Sequence, residues 1–110
     1  MEPHIWNSIP NAHIISANIC KALSEIDPDN QEYYRHRLDS VQRMIDRTER
    51  EMQRYLSNAD PSFLIYHPAL SYFARDYSLQ QISIEEGGKE PSPTHLQELM
   101  NLCRQKQVRV

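Results

Sequence analysis

Hydrophobic residues recur at helical spacing near the start of the chain. Ser8 and Pro10 are typical of the first turn of a helix, and apolar residues then repeat every three or four positions. These apolar residues are Ala12, Ile15, Ile19, Ala22, Leu23 and Ile26. The pattern predicts an amphipathic helix over residues 8–26.

A second, much longer helix is predicted after Asp27. Asp27 is a suitable cap for a helix whose first residue is Pro28, and no glycine or further proline occurs before Leu56. At 1.5 Å per residue this helix would be roughly 40 Å long. A single apolar stripe runs along it, formed by Tyr34, Leu38, Val41, Ile45, Met52 and Tyr55. Such a helix either lies along a larger structure or pairs with another helix as a coiled coil.

The second half of the chain shows a different pattern of hydrophobic residues. Residues 63–66 form a short continuous apolar run between two Xaa-Pro pairs, which predicts a buried strand. Residues 69–77 predict a short helix, and residues 79–84 predict a second strand. Ser92 and Pro93 then predict the start of a last helix.

Residues 108–110 resemble the beginning of a third strand. The predicted order after the long helix is therefore strand, helix, strand, helix, strand. This alternation indicates the α/β fold class, with parallel strands joined by crossover helices. In such sheets, ligands gather at the carboxyl ends of the strands, which is where His67 is expected to lie.

Length and charge restrict the kinds of partner that this chain can have. A chain of 110 residues is sufficient for one small hydrophobic core. The net charge of -3 favours neither nucleic acid nor an anionic membrane, and no apolar run is long enough to span a bilayer. The first residues do not have the pattern of an export signal. We therefore expect no nucleic-acid partner and no membrane-spanning segment.

Two of the five histidines have a sequence context that suggests metal binding. Pro3 precedes His4, and Pro68 follows His67, so that the backbone is restricted at both histidines. A restricted backbone presents a ligand in a fixed geometry. A histidine beside a proline is more commonly a hydrogen-bonded loop residue, so both interpretations stay open here. The other three histidines, His13, His36 and His95, are expected to be solvent-exposed.

The sequence contains no pattern that is typical of an enzyme. There is no nucleophile elbow, no zinc-protease motif and no phosphate-binding glycine loop. Glu85 and Glu86 precede Gly87 and Gly88, and we expect these two carboxylates to belong to a solvated loop. The chain is therefore predicted to be non-catalytic.

The order of these segments resembles one protein family. The segments are Pro3-His4-Ile5-Trp6, Asp27-Pro28-Asp29-Asn30 with Tyr33-Tyr34, the run from Phe63 to Ala74, Glu90-Pro91-Ser92-Pro93, and Gln107 to Val110. They resemble the zinc and manganese solute-binding proteins of bacterial ABC importers, a family that includes adhesin-like lipoproteins. The resemblance covers essentially the whole chain.

The resemblance implies a domain organisation for the chain. Family members have two α/β lobes joined by one long helix. Residues 1–27 would be the end of the N-terminal lobe, residues 28–58 the linking helix, and residues 59–110 the first part of the C-terminal lobe. The chain would thus be an internal piece of a longer receptor.

The same resemblance implies a metal site and a cellular role. His4 and His67 would be metal ligands from opposite lobes, and histidine at position 67 favours zinc over manganese. The parent receptor would deliver metal to an ABC permease from the periplasm or the cell surface. A lipid anchor would be its one connection to the membrane, and this chain has no such anchor.

The chain also departs from the family pattern. Glu2 replaces the usual aspartate, and neither an earlier histidine nor a later acidic ligand is present. Two ligands leave a zinc site incomplete, so we expect weak binding. Without the rest of the first lobe, the first two helices should expose apolar surface, and we expect self-association through them. Two alternatives stay open: an interaction module that associates through its long helix, and, less favoured, a small metal-dependent enzyme.

Overall fold

The computed structural model describes residues 2–109 as two compact units. The helical unit is Ile5–Ser57, and the α/β unit contains residues 2–4 together with residues 58–109. The elements in chain order are α1 (Ile9–Ile26), a 3-10 turn (Pro28–Asn30), α2 (Gln31–Leu56), β1 (Ser62–Ile65), α3 (Ser71–Asp76), β2 (Gln80–Ser83) and α4 (Pro93–Gln105).

The helical unit contains both of the helices predicted for the first half of the chain. The Ser8 hydroxyl accepts a hydrogen bond from the backbone N–H of Asn11 at 3.2 Å, which caps the start of α1. At the other end, the Asp27 N–H donates to the Leu23 carbonyl at 2.9 Å. Residues 28–30 form a 3-10 turn, and α2 therefore begins at Gln31 rather than at Pro28.

Asp27 holds the connection between α1 and α2. Its Oδ2 accepts hydrogen bonds from Asn30 Nδ2 at 2.8 Å and from the Tyr34 hydroxyl at 2.7 Å. These bonds favour the ionised carboxylate, and they hold the pKa of Asp27 below its ordinary value. The same bond to Asp27 raises the pKa of Tyr34. The connection is therefore fixed by side chains as well as by backbone hydrogen bonds.

An apolar groove lies between α1 and α2 within the helical unit. It is lined by Ser16, Ile19, Cys20, Leu23, Tyr34, Arg37, Leu38 and Val41. Ile19 is 55% exposed and Leu23 is 40% exposed, although both belong to the apolar stripe of α1. The two helices therefore leave part of their apolar surface uncovered by the described residues.

A two-stranded parallel sheet forms the centre of the α/β unit. Ser62 lies opposite Gln80 and Ile65 lies opposite Ser83, and α3 connects the two strands. Ala74 of α3 and Ile82 of β2 are the buried apolar residues of the described chain, each 5% exposed. The predicted strand–helix–strand arrangement and its α/β class are confirmed.

The third strand expected at residues 108–110 is not seen in the described part of this segment. Residues 108 and 109 form no strand, and residue 110 lies outside the described residues. Instead, the Val108 N–H donates to the Cys103 carbonyl at 2.9 Å, which ends α4. A strand is stable only beside a partner strand, and a short apolar run does not itself supply one.

A tight turn separates β2 from α4. Glu86 and Lys89 exchange backbone hydrogen bonds of 3.4 and 3.2 Å around Gly87 and Gly88, whose φ angles are +59° and +81°. Positive φ at both central residues is the geometry that glycine adopts at least cost. Among all helices described within residues 2–109, none is long and apolar enough to cross a bilayer.

Candidate metal centre

His67 lies just beyond the carboxyl end of β1. The apolar strand ends at Ile65, and Pro68 keeps the backbone at His67 out of the helical region. The His67 carbonyl accepts a hydrogen bond from the Ala69 N–H at 2.7 Å, so the chain turns sharply before α3 begins. The His67 side chain is 56% exposed at this edge of the sheet.

Glu85 lies beside His67 because the two parallel strands continue in register beyond their formal ends. The Ile84 N–H donates to the Ile65 carbonyl at 2.9 Å, and the Glu85 N–H donates to the Tyr66 carbonyl at 2.9 Å. Glu85 Oε2 lies 2.6 Å from His67 Nδ1, and the Glu85 side chain is 15% exposed. A carboxylate has no proton to donate, so it accepts a hydrogen bond from Nδ1–H in the tautomer that carries a proton there, and Nε2 of His67 is directed away from it.

His4 has the same kind of carboxylate partner. Glu2 Oε1 contacts Nδ1 of His4 and accepts the His4 backbone N–H at 2.9 Å. The backbone hydrogen bond from His4 is the main cause that lowers the pKa of Glu2, against the opposing effect of burial. An ionised Glu2 therefore orients the His4 ring by the same nitrogen through which Glu85 orients His67.

The two imidazole rings meet within the α/β unit. Nε2 of His4 lies 3.3 Å from Nε2 of His67. The ring centroids are 5.1 Å apart, and the ring planes are inclined by 81°. The two histidines singled out from the sequence are thus brought together, although 63 positions separate them in the chain.

The described residues supply no third protein ligand at this point. Among residues 2–109, no group of three or more His, Cys, Asp or Glu side chains is arranged to hold a metal ion. The arrangement therefore consists of two imidazoles, each with its Nδ1 against a carboxylate. Chemically, it can offer two nitrogen donors to a cation.

The remaining histidines differ partly from the exposure expected of them. His36 is 75% exposed, as predicted. The prediction is wrong for His13, which is 30% exposed and lies 2.9 Å from Asp46 Oδ1. It is also wrong for His95, because its Nε2 is buried and has no hydrogen-bond partner among the described residues. Both residues lie on faces of helices that the rest of their unit partly covers.

Sequence reasoning missed the two glutamates. Glu85 was expected to lie in a solvated loop, and Glu2 was considered only as a replacement for aspartate. The available signal for Glu85 was its position, since it follows the second strand as His67 follows the first. In a parallel sheet, such residues meet at one edge. No comparable pattern in the sequence indicated that Glu2 would contact His4.

Comparison with known proteins places this chain in a family. Residues 1–110 match the family described as zinc-uptake complex component A, periplasmic (ZnuA). The chain belongs to this family.

Relatives and solved structures agree with the ZnuA assignment. The high-affinity zinc uptake system protein ZnuA of Bacillus subtilis is 28% identical over 119 residues, a match that covers 100% of this chain and 35% of the relative. The manganese ABC transporter substrate-binding lipoprotein PsaA of Streptococcus mitis is 29% identical over 115 residues, covering 97% and 36%. A crystal structure of ZnuA has a TM-score of 0.92 at 36% identity, covering 96% of this chain and 42% of that one.

The chain spans roughly a third of the length of these curated relatives. The relatives are named as zinc and manganese uptake or substrate-binding components, and this confirms the family that the sequence resembled. The expected boundaries at residues 27 and 58 stay predictions. The described structure groups residues 2–4 with residues 58–109.

Proposed function

We propose that this chain binds a divalent metal ion, preferably zinc, through Nε2 of His4 and Nε2 of His67. The metal is the cargo of a solute-binding protein that delivers it to an ABC permease from outside the cytoplasm. Family membership supports the role in transport. The distance between the two Nε2 atoms supports the choice of ligands.

The spacing of the rings fits one edge of a tetrahedral zinc site. Two nitrogen atoms at Zn–N distances of about 2.05 Å and a tetrahedral angle would be roughly 3.3 Å apart. The corresponding ring centroids would be roughly 5.2 Å apart. The observed values are 3.3 Å for the Nε2 atoms and 5.1 Å for the centroids. The metal would therefore bind without a large rearrangement of either ring.

The carboxylates strengthen the same proposal. In the tautomer in which Glu2 and Glu85 accept hydrogen bonds from Nδ1–H, the Nε2 lone pair of each imidazole is available to a metal ion. A cation placed between the two Nε2 atoms, which are 3.3 Å apart, would be attracted to both lone pairs. A carboxylate on the outer nitrogen also makes the imidazole a stronger metal ligand. The pair of rings is thus suited to capture a cation.

The choice of zinc follows from the ligand type. Imidazole nitrogen binds Zn²⁺ more strongly than Mn²⁺, and manganese prefers carboxylate oxygen. Both cations occur in the names of the relatives, so the ligand chemistry decides between them. Two imidazoles supply only half of a tetrahedral shell, and the remaining positions need other donors. We therefore expect weak binding by this chain.

Titration calorimetry with Zn²⁺ and with Mn²⁺ tests the proposal. The wild-type chain should bind Zn²⁺ measurably and more tightly than Mn²⁺, and His4→Ala or His67→Ala should each weaken the zinc affinity by about tenfold or more. His36→Ala is the matched control because His36 is 75% exposed and lies in the helical unit. Equal affinities for all four proteins would refute the proposed ligands.

The alternative interaction module predicts a different result. The groove between α1 and α2 is the observation that favours it, because Ile19 and Leu23 are exposed there. An interaction module of this kind would be insensitive to both His4→Ala and His67→Ala. The calorimetric series therefore separates the two functions.

A further inference from the structure

We propose that Ser71 and Gln81 are positioning residues that hold Glu2, and through it His4, in the geometry for metal capture. This inference rests on the proposed metal-binding function. It concerns two uncharged side chains that are joined to Glu2 by hydrogen bonds. Their effect passes through hydrogen bonds to the Glu2 carboxylate.

The segment that carries His4 needs such support. Residues 2–4 belong to no helix or strand, yet they group with residues 58–109. Their backbone therefore lacks the regular hydrogen bonds that fix a ligand on a strand or helix. Glu2 makes two contacts with the start of α3: Ser71 Oγ donates to Glu2 Oε2 at 3.0 Å, and the Tyr72 hydroxyl donates to the Glu2 carbonyl at 3.2 Å.

Gln81 fixes the hydroxyl of Ser71. Gln81 Nε2 donates to Ser71 Oγ at 3.1 Å, and Gln81 Oε1 accepts the Leu70 backbone N–H at 2.8 Å. The Leu70 N–H requires an acceptor, so it determines which end of the Gln81 amide faces Ser71. With that amide N–H directed at its oxygen, the Ser71 hydroxyl is left to donate its own proton to Glu2.

The result is a continuous chain of four hydrogen bonds from the backbone of Leu70 to the His4 ring. It runs through Gln81, Ser71 and Glu2, and every link has a donor and an acceptor. Because Ser71 holds Oε2 of Glu2, Oε1 is directed at both nitrogen donors of His4. The ring orientation of His4 therefore depends on β2 and on the first turn of α3.

The side chain of His67 is oriented without Ser71 or Gln81, so the proposed role of these two residues applies to His4 alone. Its carboxylate partner Glu85 is fixed by the backbone ladder, through the Glu85 N–H and the Tyr66 carbonyl. Loss of the Ser71 hydroxyl should thus disturb the orientation of the His4 ring directly, while the contact between Glu85 and His67 stays in place. A general loss of folding would disturb both rings.

The test uses the full chain with Ser71→Ala, Ser71→Thr and Gln81→Met. Zinc affinity is measured by calorimetry, and the ring nitrogens of the histidines are observed by NMR in the zinc-free protein. Ser71→Ala and Gln81→Met should each weaken zinc binding by about three- to tenfold, somewhat less than the loss of a direct carboxylate partner. Ser71→Thr retains a hydroxyl and should stay within about twofold of wild type.

Controls separate a positioning role from a structural one. Ser83→Ala removes a hydroxyl from the same sheet, outside this chain of hydrogen bonds, and should change neither affinity nor ring signals. Thermal unfolding identifies any variant that fails to fold, and Ser71→Ala at the first residue of α3 is compatible with a helix. In Ser71→Ala the ring signals of His4 should shift clearly, and those of His67, which contacts His4 but keeps Glu85, should shift less.

Two outcomes would overturn the positioning role, and a third would overturn the proposed function on which it rests. If His4→Ala weakens zinc binding but Ser71→Ala and Gln81→Met do not, the positioning role is wrong and the metal site stands. If Ser71→Thr is as weak as Ser71→Ala, the hydroxyl is not the group responsible, and the positioning role is again wrong. If His4→Ala has no effect on zinc binding, the proposed function itself fails.

Discussion

Glu85 Oε2 lies 2.6 Å from Nδ1 of His67, and each of these residues lies two positions beyond the paired strand ends Ser83 and Ile65. The parallel register of β1 and β2 therefore places the Glu85 carboxylate beside the His67 imidazole. The Glu85 side chain is 15% exposed, whereas the following Glu86 is 77% exposed. Two neighbouring glutamates thus have different environments, because only the first lies against His67.

Glu85→Gln should lower the zinc affinity of the chain by about tenfold, while Glu86→Gln should leave it unchanged. Glutamine keeps the size of the side chain and an acceptor oxygen, but it removes the negative charge that strengthens imidazole as a ligand. Calorimetric titration of both variants with Zn²⁺ measures the difference. Equal affinities for Glu85→Gln and Glu86→Gln would contradict the role of the Glu85 carboxylate.

The sequence contained enough information to identify the two histidines but not their carboxylates. Pro3 and Pro68 are local signals, and the apolar run before His67 fixed its place at the end of a strand. Glu85 became a partner only through the register between β1 and β2, which is a non-local property. A charged pair before two glycines is usually solvated, and that general rule led to the wrong prediction for Glu85.

The helices were predictable because periodicity and caps are local. Ser8 caps α1 as expected, and the long apolar stripe correctly predicted α2. The third strand was not predictable from Val108 and its neighbours, since a strand needs a partner that the local sequence does not specify. The position of residues 2–4 was equally unpredictable from the sequence, because it depends on hydrogen bonds from Ser71 and Tyr72, about 70 positions away.

Acid should destabilise the helical unit through Asp27. Its pKa lies below the ordinary value because Asn30 and Tyr34 donate to the carboxylate in the folded state. A lowered carboxyl pKa contributes stability that is present above the unfolded value of 3.8 and is lost as the pH falls through the folded value. Thermal unfolding followed by circular dichroism between pH 6 and pH 2 measures this loss.

Tyr34→Phe is the matched variant for this acid effect. It removes one of the two side-chain donors to Asp27, so the thermal midpoint should fall near neutral pH, and the difference from wild type should shrink at low pH. Tyr33→Phe is the control, because Tyr33 is 60% exposed and does not contact Asp27 through a hydrogen bond. A Tyr34→Phe difference that stays constant from pH 6 to pH 2 would contradict this interpretation.

Gly87→Ala should destabilise the α/β unit by about 1 kcal/mol. The φ angle of Gly87 is +59°, and a Cβ at this position would meet no atom within 4 Å. The loss of stability therefore comes from forcing alanine into a positive φ angle, and not from a clash with a neighbouring atom. Gly87→Asn should cost less, because asparagine adopts positive φ more readily than alanine does. Urea unfolding of both variants tests the order, and an alanine variant as stable as asparagine would contradict it.

The chain should self-associate through the apolar groove between α1 and α2. Leu23 lines the groove and is 40% exposed, and an isolated apolar surface of this kind favours association in water. Burying one leucine contributes about 1.5–3 kcal/mol, so Leu23→Lys should weaken the association by roughly tenfold or more. Met44→Lys is the control, because Met44 is 67% exposed on α2 and does not line the groove. Light scattering over a range of concentrations should show a concentration-dependent mass for the wild type and for Met44→Lys, and a smaller mass for Leu23→Lys. A wild-type chain that stays monomeric at every concentration would show that this groove does not bind a second copy.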